Sequence, residues 1–264
     1  DEVFIHLSSQ TNLPINKIIK ELEVMGVTVD LNINVFEMEI PVQREIERIG
    51  NYYTVSFSPK IHSFKQIFFK RVMDIVGAIV GLLITGIVTV FLAPALLIES
   101  PGPLFFSQVR VGKNGRRFKI YKFRSMYMDA EERKKELMSQ NEMEGLMFKM
   151  ENDPRVTKVG KFIRKTSIDE LPQFWNILKG EMSLVGTRPP TEDEFLQYEG
   201  YHRRRLNMTP GLTGLWQVSG RSDTKNFEEI VAMDVEYIDN WSLKEDIKIL
   251  FKTVGVVLKG KGAS

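Results

Sequence analysis

The chain contains no cysteine and only three histidines, His6, His62 and His202. Without cysteine there is no disulfide framework and none of the commonest zinc sites. The histidines are too dispersed to read as a metal cluster and are taken as ordinary surface or core residues. There is no Walker-type phosphate loop and no dinucleotide fingerprint. Charge of neither sign dominates: the formal net charge is +2 and the pI about 8.6. A bulk attraction for nucleic acid is therefore not indicated, and no nucleic-acid partner is expected. No secretory signal is visible, and the first residue is not Met. The opening run, Val3 to Leu7, reads as the interior of a longer protein.

What the 264 residues do offer is room for one large or two small domains with a buried core. Val3–Leu7 is β-like, and Asn16–Met25 carries Ile18, Ile19 and Leu22 at helical spacing before Gly26. Val27–Leu31 follows as a second strand, and irregular structure is expected from there to about residue 60. This rhythm suits the end of a small parallel α/β domain, to which no ligand is assigned.

From Ile75 to Ile98 no residue is charged, a run of about 24, against the roughly 20 a membrane-spanning helix needs. The lead-in mixes Phe64, Phe68 and Phe69 with Lys65, Lys70 and Arg71, as at a lipid headgroup layer. Membrane insertion is favoured over a buried core helix. Basic residues also follow the run, among them Arg110, Lys113, Arg116, Arg117, Lys119 and Lys122. The tendency of basic flanks to stay in the cytoplasm then favours a re-entrant segment that enters and leaves by one leaflet. Gly77, Gly81, Gly86 and Pro94 are the points where it could bend.

After the rigid turn Ser100–Pro103, two strands are expected around the turn Gly112–Gly115, at Leu104–Gln108 and Phe118–Phe123. Asp129 to about Gln140 reads as a charged helix with a Met-rich continuation, Met143–Met150. The last helix should begin at Ser242, with Glu245 completing a capping box. Its apolar stripe would be Leu243, Ile247, Leu250, Val254 and Leu258, buried in the core or in lipid.

The chemistry concentrates at Asp169 and Glu170. Ser167 and Glu170 fit a capping box, so a purely structural role is a fair alternative. Pro172 favours a helix beginning near Asp169 instead, because its missing N–H is tolerated in a first turn. Both carboxylates would then lie at the positive end of a helix. Arg155, Lys158, Lys161, Arg164 and Lys165 precede the pair, and Arg188 and Arg221 follow, each in a Gly/Pro-bounded turn. Arginine forks suit phosphate oxygens, and Asp169 with Glu170 could hold Mg²⁺, which takes one or two carboxylates plus substrate phosphates.

Five motifs occur in order: Phe105-Phe-Ser-Gln-Val-Arg-Val-Gly112, Phe118-Lys-Ile-Tyr-Lys-Phe-Arg-Ser-Met126, Asp169-Glu-Leu-Pro-Gln-Phe-Trp-Asn-Ile-Leu-Lys-Gly180, Met182-Ser-Leu-Val-Gly-Thr-Arg-Pro189 and Pro210-Gly-Leu-Thr-Gly214. Over roughly residues 66–260 the chain resembles the bacterial sugar transferase family, the monotopic phosphoglycosyl transferases. Residues 1–60 look like the end of the extra α/β domain of the larger members, which carry preceding transmembrane helices absent here.

The resemblance implies transfer of a sugar 1-phosphate from a UDP-sugar to undecaprenyl phosphate with release of UMP. That step opens capsule, exopolysaccharide or O-antigen synthesis. It implies Asp169 as nucleophile through an aspartyl phosphosugar, Glu170 assisting with Mg²⁺, and Lys122, Arg124, Arg164, Arg188 and Arg221 binding phosphate or nucleotide. The implied setting is the cytoplasmic face of a bacterial inner membrane, with UDP-sugar, undecaprenyl phosphate and membrane lipid as partners and a homo-oligomer left open. Many members place a Ser-Pro near the middle of the re-entrant helix. The comparable place here is Thr85-Gly-Ile87, with the proline later, at Pro94.

The fold class expected is thus a helix-rich α/β mixture. Residues 1–62 form the C-terminal part of a Rossmann-like domain, 63–103 the membrane anchor helix and exit turn, and 104–264 the catalytic domain. Two other readings stay open: direct transfer without a covalent intermediate, and a membrane-anchored scaffold whose basic patches bind anionic lipid. The donor sugar is not legible.

Overall fold

A computed structural model of the chain describes residues 2–6, 14–24, 28–32, 43–49, 52–58, 64–130, 132–133, 150, 153–219 and 226–259. It divides into two compact units, Asp1–Ile61 and His62–Ser264. Most of the expected charged helix and its Met-rich continuation lie outside the described residues, as does Arg221.

In the first unit, strand β1 (Glu2–His6), helix α1 (Ile15–Val24) and strand β2 (Thr28–Asn32) form the expected βαβ arrangement, with β1 and β2 parallel. The irregular stretch expected next is instead an antiparallel pair, β3 (Gln43–Ile49) and β4 (Tyr52–Ser58), in register from Gln43↔Ser58 to Ile49↔Tyr52. The signal was Gly50-Asn51 between two strand-like runs, a two-residue hairpin separator.

The second unit is organised along α2, a continuous helix from Phe64 to Glu99. Thirty-six residues at about 1.5 Å each span roughly 54 Å. It is the one described helix long and apolar enough to cross a membrane, with mean hydropathy 2.7 and only 22% of its most apolar window buried. That exposure is unlike a soluble core helix, which would hide most of such a surface. The buried positions Lys70, Asp74, Ala78, Gly81, Thr85, Leu92 and Leu96 recur at three-, four- and seven-residue steps, one face of a helix. Val76, Val80, Leu83, Ile87 and Val90 are exposed.

Gly77 and Gly81, expected as bending points, are packing positions. A Cβ on Gly81 would meet the Phe174 ring at 2.3 Å, and one on Gly77 would meet Leu184 at 2.6 Å. Their missing side chains let the folded unit seat against α2. Pro94 lies within the helix without ending it.

Polar contacts tie α2 to this unit at both ends. Near its start, Lys70 Nζ donates to Asp246 Oδ2 at 2.6 Å and Asp74 Oδ1 accepts from the Leu184 N–H at 2.8 Å. At its end, Glu99 accepts from the backbone N–H groups of Lys158 and Val159 at 2.7 and 2.8 Å. In the middle, Thr85 Oγ1 donates to the Leu171 carbonyl at 3.2 Å.

Strands β5 (Phe105–Val111) and β6 (Arg117–Phe123) pair antiparallel as expected, around a tight turn in which Asn114 takes a left-handed φ of 56°. Then come α3 (Lys158–Lys165), α4 (Gln173–Lys179), β7 (Ser183–Val185), α5 (Glu192–Leu196), β8 (Gly211–Thr213), α6 (Leu215–Val218), α7 (Phe227–Asp239) and α8 (Leu243–Lys259). Strands β7 and β8 pair parallel. The main core gathers Ala78 of α2 with Ile120, Ile177, Val185, Tyr237 and Ile249.

Helix α8 starts where expected, with the Glu245 N–H donating to Ser242 Oγ at 3.3 Å. Its core face differs from the expected stripe. Asp246 and Ile249 are fully buried, whereas Ile247 and Val254 are 43% and 58% exposed, beside Phe251 at 76%. The core selected the face bearing an acid because Lys70 waits there. The apolar residues left outside, Ile247, Phe251 and Val254, share an exposed face.

Candidate active site

Helix α3 is begun by Thr157, whose hydroxyl accepts from the Gly160 N–H at 2.8 Å, and it carries Arg164 in its last turn. The chain then reverses through Ser167, which adopts a left-handed conformation at φ 55° and ψ 17°. Only a few per cent of non-glycine residues do so. Asp169 and Glu170 follow in a short 3₁₀ turn, Ile168–Glu170, and the α-helix α4 begins only at Gln173 behind Pro172.

This differs from both sequence alternatives. Ser167 makes no side-chain cap, so the Ser167–Glu170 capping box does not form. The helix starts after Pro172 rather than near Asp169, because the left-handed turn leads into 3₁₀ spacing before the chain can become α-helical. A proline just ahead of Gln173 gives up no N–H that α4 needs.

Lys122 on β6 reaches this turn. Its Nζ is 2.6 Å from Glu170 Oε1 and 4.0 Å from Asp169 Oδ2. Asp169 is 7% exposed. Burial is the main force on its carboxyl, raising the pKa from the ordinary value to about 6; Lys122 and Arg164 oppose this and Glu170 adds to it. Burial acts on Glu170 too, but Lys122, Arg188 and a hydrogen bond from Gln173 outweigh it and hold that carboxyl below its usual range. Two adjacent acids thus acquire opposite environments: Glu170 stays ionised, and Asp169 sits near the edge of protonation.

Arg188 lies in the same field. Its Nη1 donates to Glu194 Oε2 at 3.1 Å. Glu194 is fixed in turn by a capping box with Thr191 at the start of α5. Arg110 on β5 joins the cluster through the Arg110↔Thr191 bridge. Its Nη1 donates to the Pro189 carbonyl at 3.1 Å and its Nη2 to Gln108 Oε1 at 2.8 Å, while its buried Nε has no partner among the described residues. Burial, then the neighbouring Arg188, lowers its pKa to about 10. From sequence Arg110 stands out only as a basic flank of the apolar run. Its place in the strand motif beside Gly112 was the available signal.

The structure therefore gathers Lys122, Arg164, Asp169, Glu170 and Arg188 into one electrostatic neighbourhood. Arg124 is turned toward the exit turn after α2. It is 6% exposed, and its guanidinium donates to the carbonyls of Ser100 and Pro101. The exit turn after α2 presents inward-facing carbonyls, and Arg124 satisfies them. Arg221 lies outside the described residues. His202 spends both ring nitrogens, accepting from the Glu199 N–H at 3.1 Å and pairing with Glu228 at 2.9 Å, which leaves it unsuited to metal binding.

Among the described residues no group of three or more His, Asp or Glu side chains could hold a metal. The described residues by themselves therefore build no all-protein cage. A Mg²⁺ that takes one or two carboxylates and draws its other ligands from substrate phosphates does fit. The carboxylate of Asp169 is buried and, among the described residues, has only the long pair to Lys122 at 4.0 Å, so a cation beside it would offset the cost that burial imposes.

Comparison with known proteins bears on this arrangement. The profile of the family described as "Bacterial sugar transferase" matches residues 65–260. The chain is 51% identical over 265 residues to the galactosyl transferase CpsE of Streptococcus agalactiae serotype III, covering 100% of this chain and 59% of that protein. It is 46% identical to the undecaprenyl-phosphate galactose phosphotransferase of Salmonella typhimurium, covering 74% of this chain and 42% of that one. It is 41% identical to the exopolysaccharide production protein ExoY of Rhizobium meliloti, covering 74% and 87%. The chain spans about half the length of the first two relatives.

Proposed function

This chain belongs to the bacterial sugar transferase family, and from that membership and the site's geometry we propose that it transfers a sugar 1-phosphate from a UDP-sugar to undecaprenyl phosphate. Relatives bearing the names of undecaprenyl-phosphate sugar transferases support the substrate classes. The product would serve capsule, exopolysaccharide or O-antigen synthesis. The observation that carries the mechanism is the inequality of Asp169 and Glu170. Glu170 is neutralised by Lys122 at 2.6 Å, whereas Asp169 is buried with its nearest cation among the described residues at 4.0 Å. A carboxylate released from tight pairing can attack; one locked to a lysine cannot.

In this mechanism an Asp169 carboxylate oxygen attacks the β-phosphorus of the UDP-sugar. The bond from that phosphorus to the bridging oxygen breaks, and UMP leaves with the bond's electrons. The sugar phosphate then resides on Asp169 as an acyl phosphate. A phosphate oxygen of the lipid carrier attacks the same phosphorus, forms the diphosphate link and restores the Asp169 carboxylate. Splitting one transfer into two suits a weak nucleophile. Arg164, Arg188 and Lys122 hold negative charge in place, where phosphoryl transfer gains most from positioning and neutralisation. Mg²⁺, when bound at Asp169 and Glu170, would supply further charge neutralisation at the phosphates.

The re-entrant membrane reading gains support from α2. A straight crossing would carry its two ends into different compartments. Here Lys70 near the start and Glu99 at the end bond to one folded unit. Thr85 and Thr89 donate back to the carbonyls of Gly81 and Thr85 at 2.7 and 2.6 Å, a pattern that loosens and bends helices. It falls where other members place Ser-Pro. The folded unit would then lie at the cytoplasmic face of the inner membrane.

The deciding experiment incubates the protein with a panel of UDP-sugars and Mg²⁺, measuring UMP release and intact mass. The expected result is UMP together with a chain heavier by one phosphosugar, both lost in Asp169→Asn. Ping-pong kinetics are expected; a ternary-complex pattern would replace the covalent route with direct transfer. Liposome binding with no UDP-sugar consumed would favour the scaffold reading.

A further inference from the structure

The turn that carries Arg188 is pinned on both sides by groups far away in sequence. On one side the Thr187 hydroxyl donates to the Arg205 carbonyl at 3.0 Å. Arg205 is itself locked to Asp234 in a pair whose side chains are both 1% exposed. On the other side Arg110 Nη1 donates to the Pro189 carbonyl at 3.1 Å. With its backbone fixed, Arg188 keeps only the freedom of its own side chain, about 2 kcal/mol of rotamer entropy. Glu194 takes up that freedom. Its carboxylate meets the guanidinium end-on, Oε2 with Nη1 at 3.1 Å and Oε1 with Nη2 at 3.5 Å. Glu194 is held in turn: its Oε2 accepts from the Thr191 N–H at 3.1 Å, and its own N–H donates to the Thr191 hydroxyl at 3.2 Å. Burial acts to raise its pKa, but Arg188, then Arg110 and the hydrogen bonds, hold the carboxyl below its usual range. The Glu194 side chain is 7% exposed, whereas 25% of the Arg188 side chain stays open.

We propose that Glu194 is a positioning residue of the donor site, holding one fork of Arg188 so that the other meets a phosphate of the UDP-sugar. The inference rests on the transfer reaction proposed above and adds the residue that sets the geometry of its phosphate contact. An end-on grip leaves a guanidinium its second fork, the Nε–H and the Nη2 N–H beside it. Among the described residues no group takes that fork, and the charge of Arg188 is felt at Glu170. The fork is planar and matches two phosphate oxygens. Glu194 is an anion beside a site for anions, so its charge alone weakens phosphate binding. Its contribution is orientation, since a fork already held in place loses less freedom when a phosphate arrives. Without that carboxylate, Arg110 and Arg188 become neighbouring cations that share no counterion. Arg110 is tied to the Pro189 carbonyl and to Gln108, so Arg188 is the one that turns away.

Calorimetric titration of the full chain with UDP and Mg²⁺ separates orientation from charge without requiring turnover. Glu194→Gln removes the charge but keeps the size, and glutamine also closes a capping box, so the start of α5 is preserved. It should weaken UDP binding about tenfold. Were charge alone at work, the same variant would bind UDP more tightly. Glu194→Asp keeps the charge but draws it back by one methylene, and should weaken binding by a similar factor. Glu192→Gln takes the same charge from the exposed start of α5, where Glu192 pairs with Arg117 at 2.5 Å. That variant should keep its affinity within about twofold of the parent chain. In an Arg188→Ala background Glu194→Gln should change nothing further, because a positioning residue acts through its arginine. A merely structural role would weaken binding in both backgrounds and lower the melting temperature with it. Tighter or unchanged binding in Glu194→Gln, an equal loss with and without Arg188, or no UDP binding by the parent chain would overturn the proposal. The expected cycle with no UMP released from any UDP-sugar would support Glu194 as organiser of an anion site and count against the transfer reaction.

Discussion

Asp246 and Asp169 are both buried beside a lysine, yet their surroundings differ in kind. Asp246, at 0% exposure, accepts from Lys70 Nζ at 2.6 Å, Tyr237 Oη at 2.6 Å and Trp241 Nε1 at 3.1 Å. Burial, then the Asp246 carboxylate, pushes the Tyr237 phenol up, so it remains a neutral donor. Lys70 completes its own shell on the Val185 carbonyl at 2.8 Å. Asp169 has its nearest lysine at 4.0 Å, and that lysine is committed to Glu170. The desolvation cost of a buried carboxylate is offset in the first cluster and left standing in the second. A saturated cluster fixes α2 to the folded unit. An unsaturated one stores a group that gains when a cation or an electrophile arrives. At Asp169 the rise from 3.8 to about 6 is on the order of 3 kcal/mol.

Exchanging the two behaviours by mutation is the sharpest way to break this contrast. Asp169→Asn should lower UDP-sugar-dependent UMP release by about 10³-fold or more while raising stability by about 1–2 kcal/mol. The stability gain follows because a carboxyl with a raised pKa favours the fold when protonated, and that contribution is lost as pH climbs from about 4 through about 6. Retained activity would remove Asp169 as nucleophile, and a lower melting temperature would contradict the unpaired state.

Asp246→Asn should do the reverse. It strands a buried Lys70, with an expected loss of about 3–5 kcal/mol in urea unfolding. An unchanged midpoint would mean the lysine finds another partner.

A third comparison uses pH. If the ionised Asp169 attacks, kcat/KM should fall about tenfold for each unit below a midpoint near 6. A flat profile between about pH 5 and 8 would dissociate the rate from this carboxyl.

The smallest effect expected is in Lys122→Gln. Lys122 is the leading influence holding the Asp169 pKa down, so the midpoint of the pH profile should move upward. A downward shift would reverse the assigned sign.

Much of this architecture was legible from periodicity and punctuation. The uncharged run announced α2, the βαβ rhythm announced β1 to β2, and Ser242 with Glu245 announced the start of α8. The order of the motifs pointed to Asp169 and Glu170. Other features depended on partners distant in sequence. Nothing near Arg124 in sequence announced its bonds to the Ser100 and Pro101 carbonyls. Gly81 looked like a hinge until Phe174 packed against it. The core face of α8 was set by Lys70, which lies 176 residues away.

By itself the chain determined the local elements, the membrane-seeking surface and the identity of the acid pair. These follow from hydrogen-bond spacing and from the side chains' preference for water or hydrocarbon, which neighbouring residues already encode. The tertiary structure alone decided that Lys122 sits 2.6 Å from Glu170 and 4.0 Å from Asp169. That difference rests on where Lys122, 48 residues distant in the chain from Glu170, comes to rest, and electrostatic energy depends on separation in space.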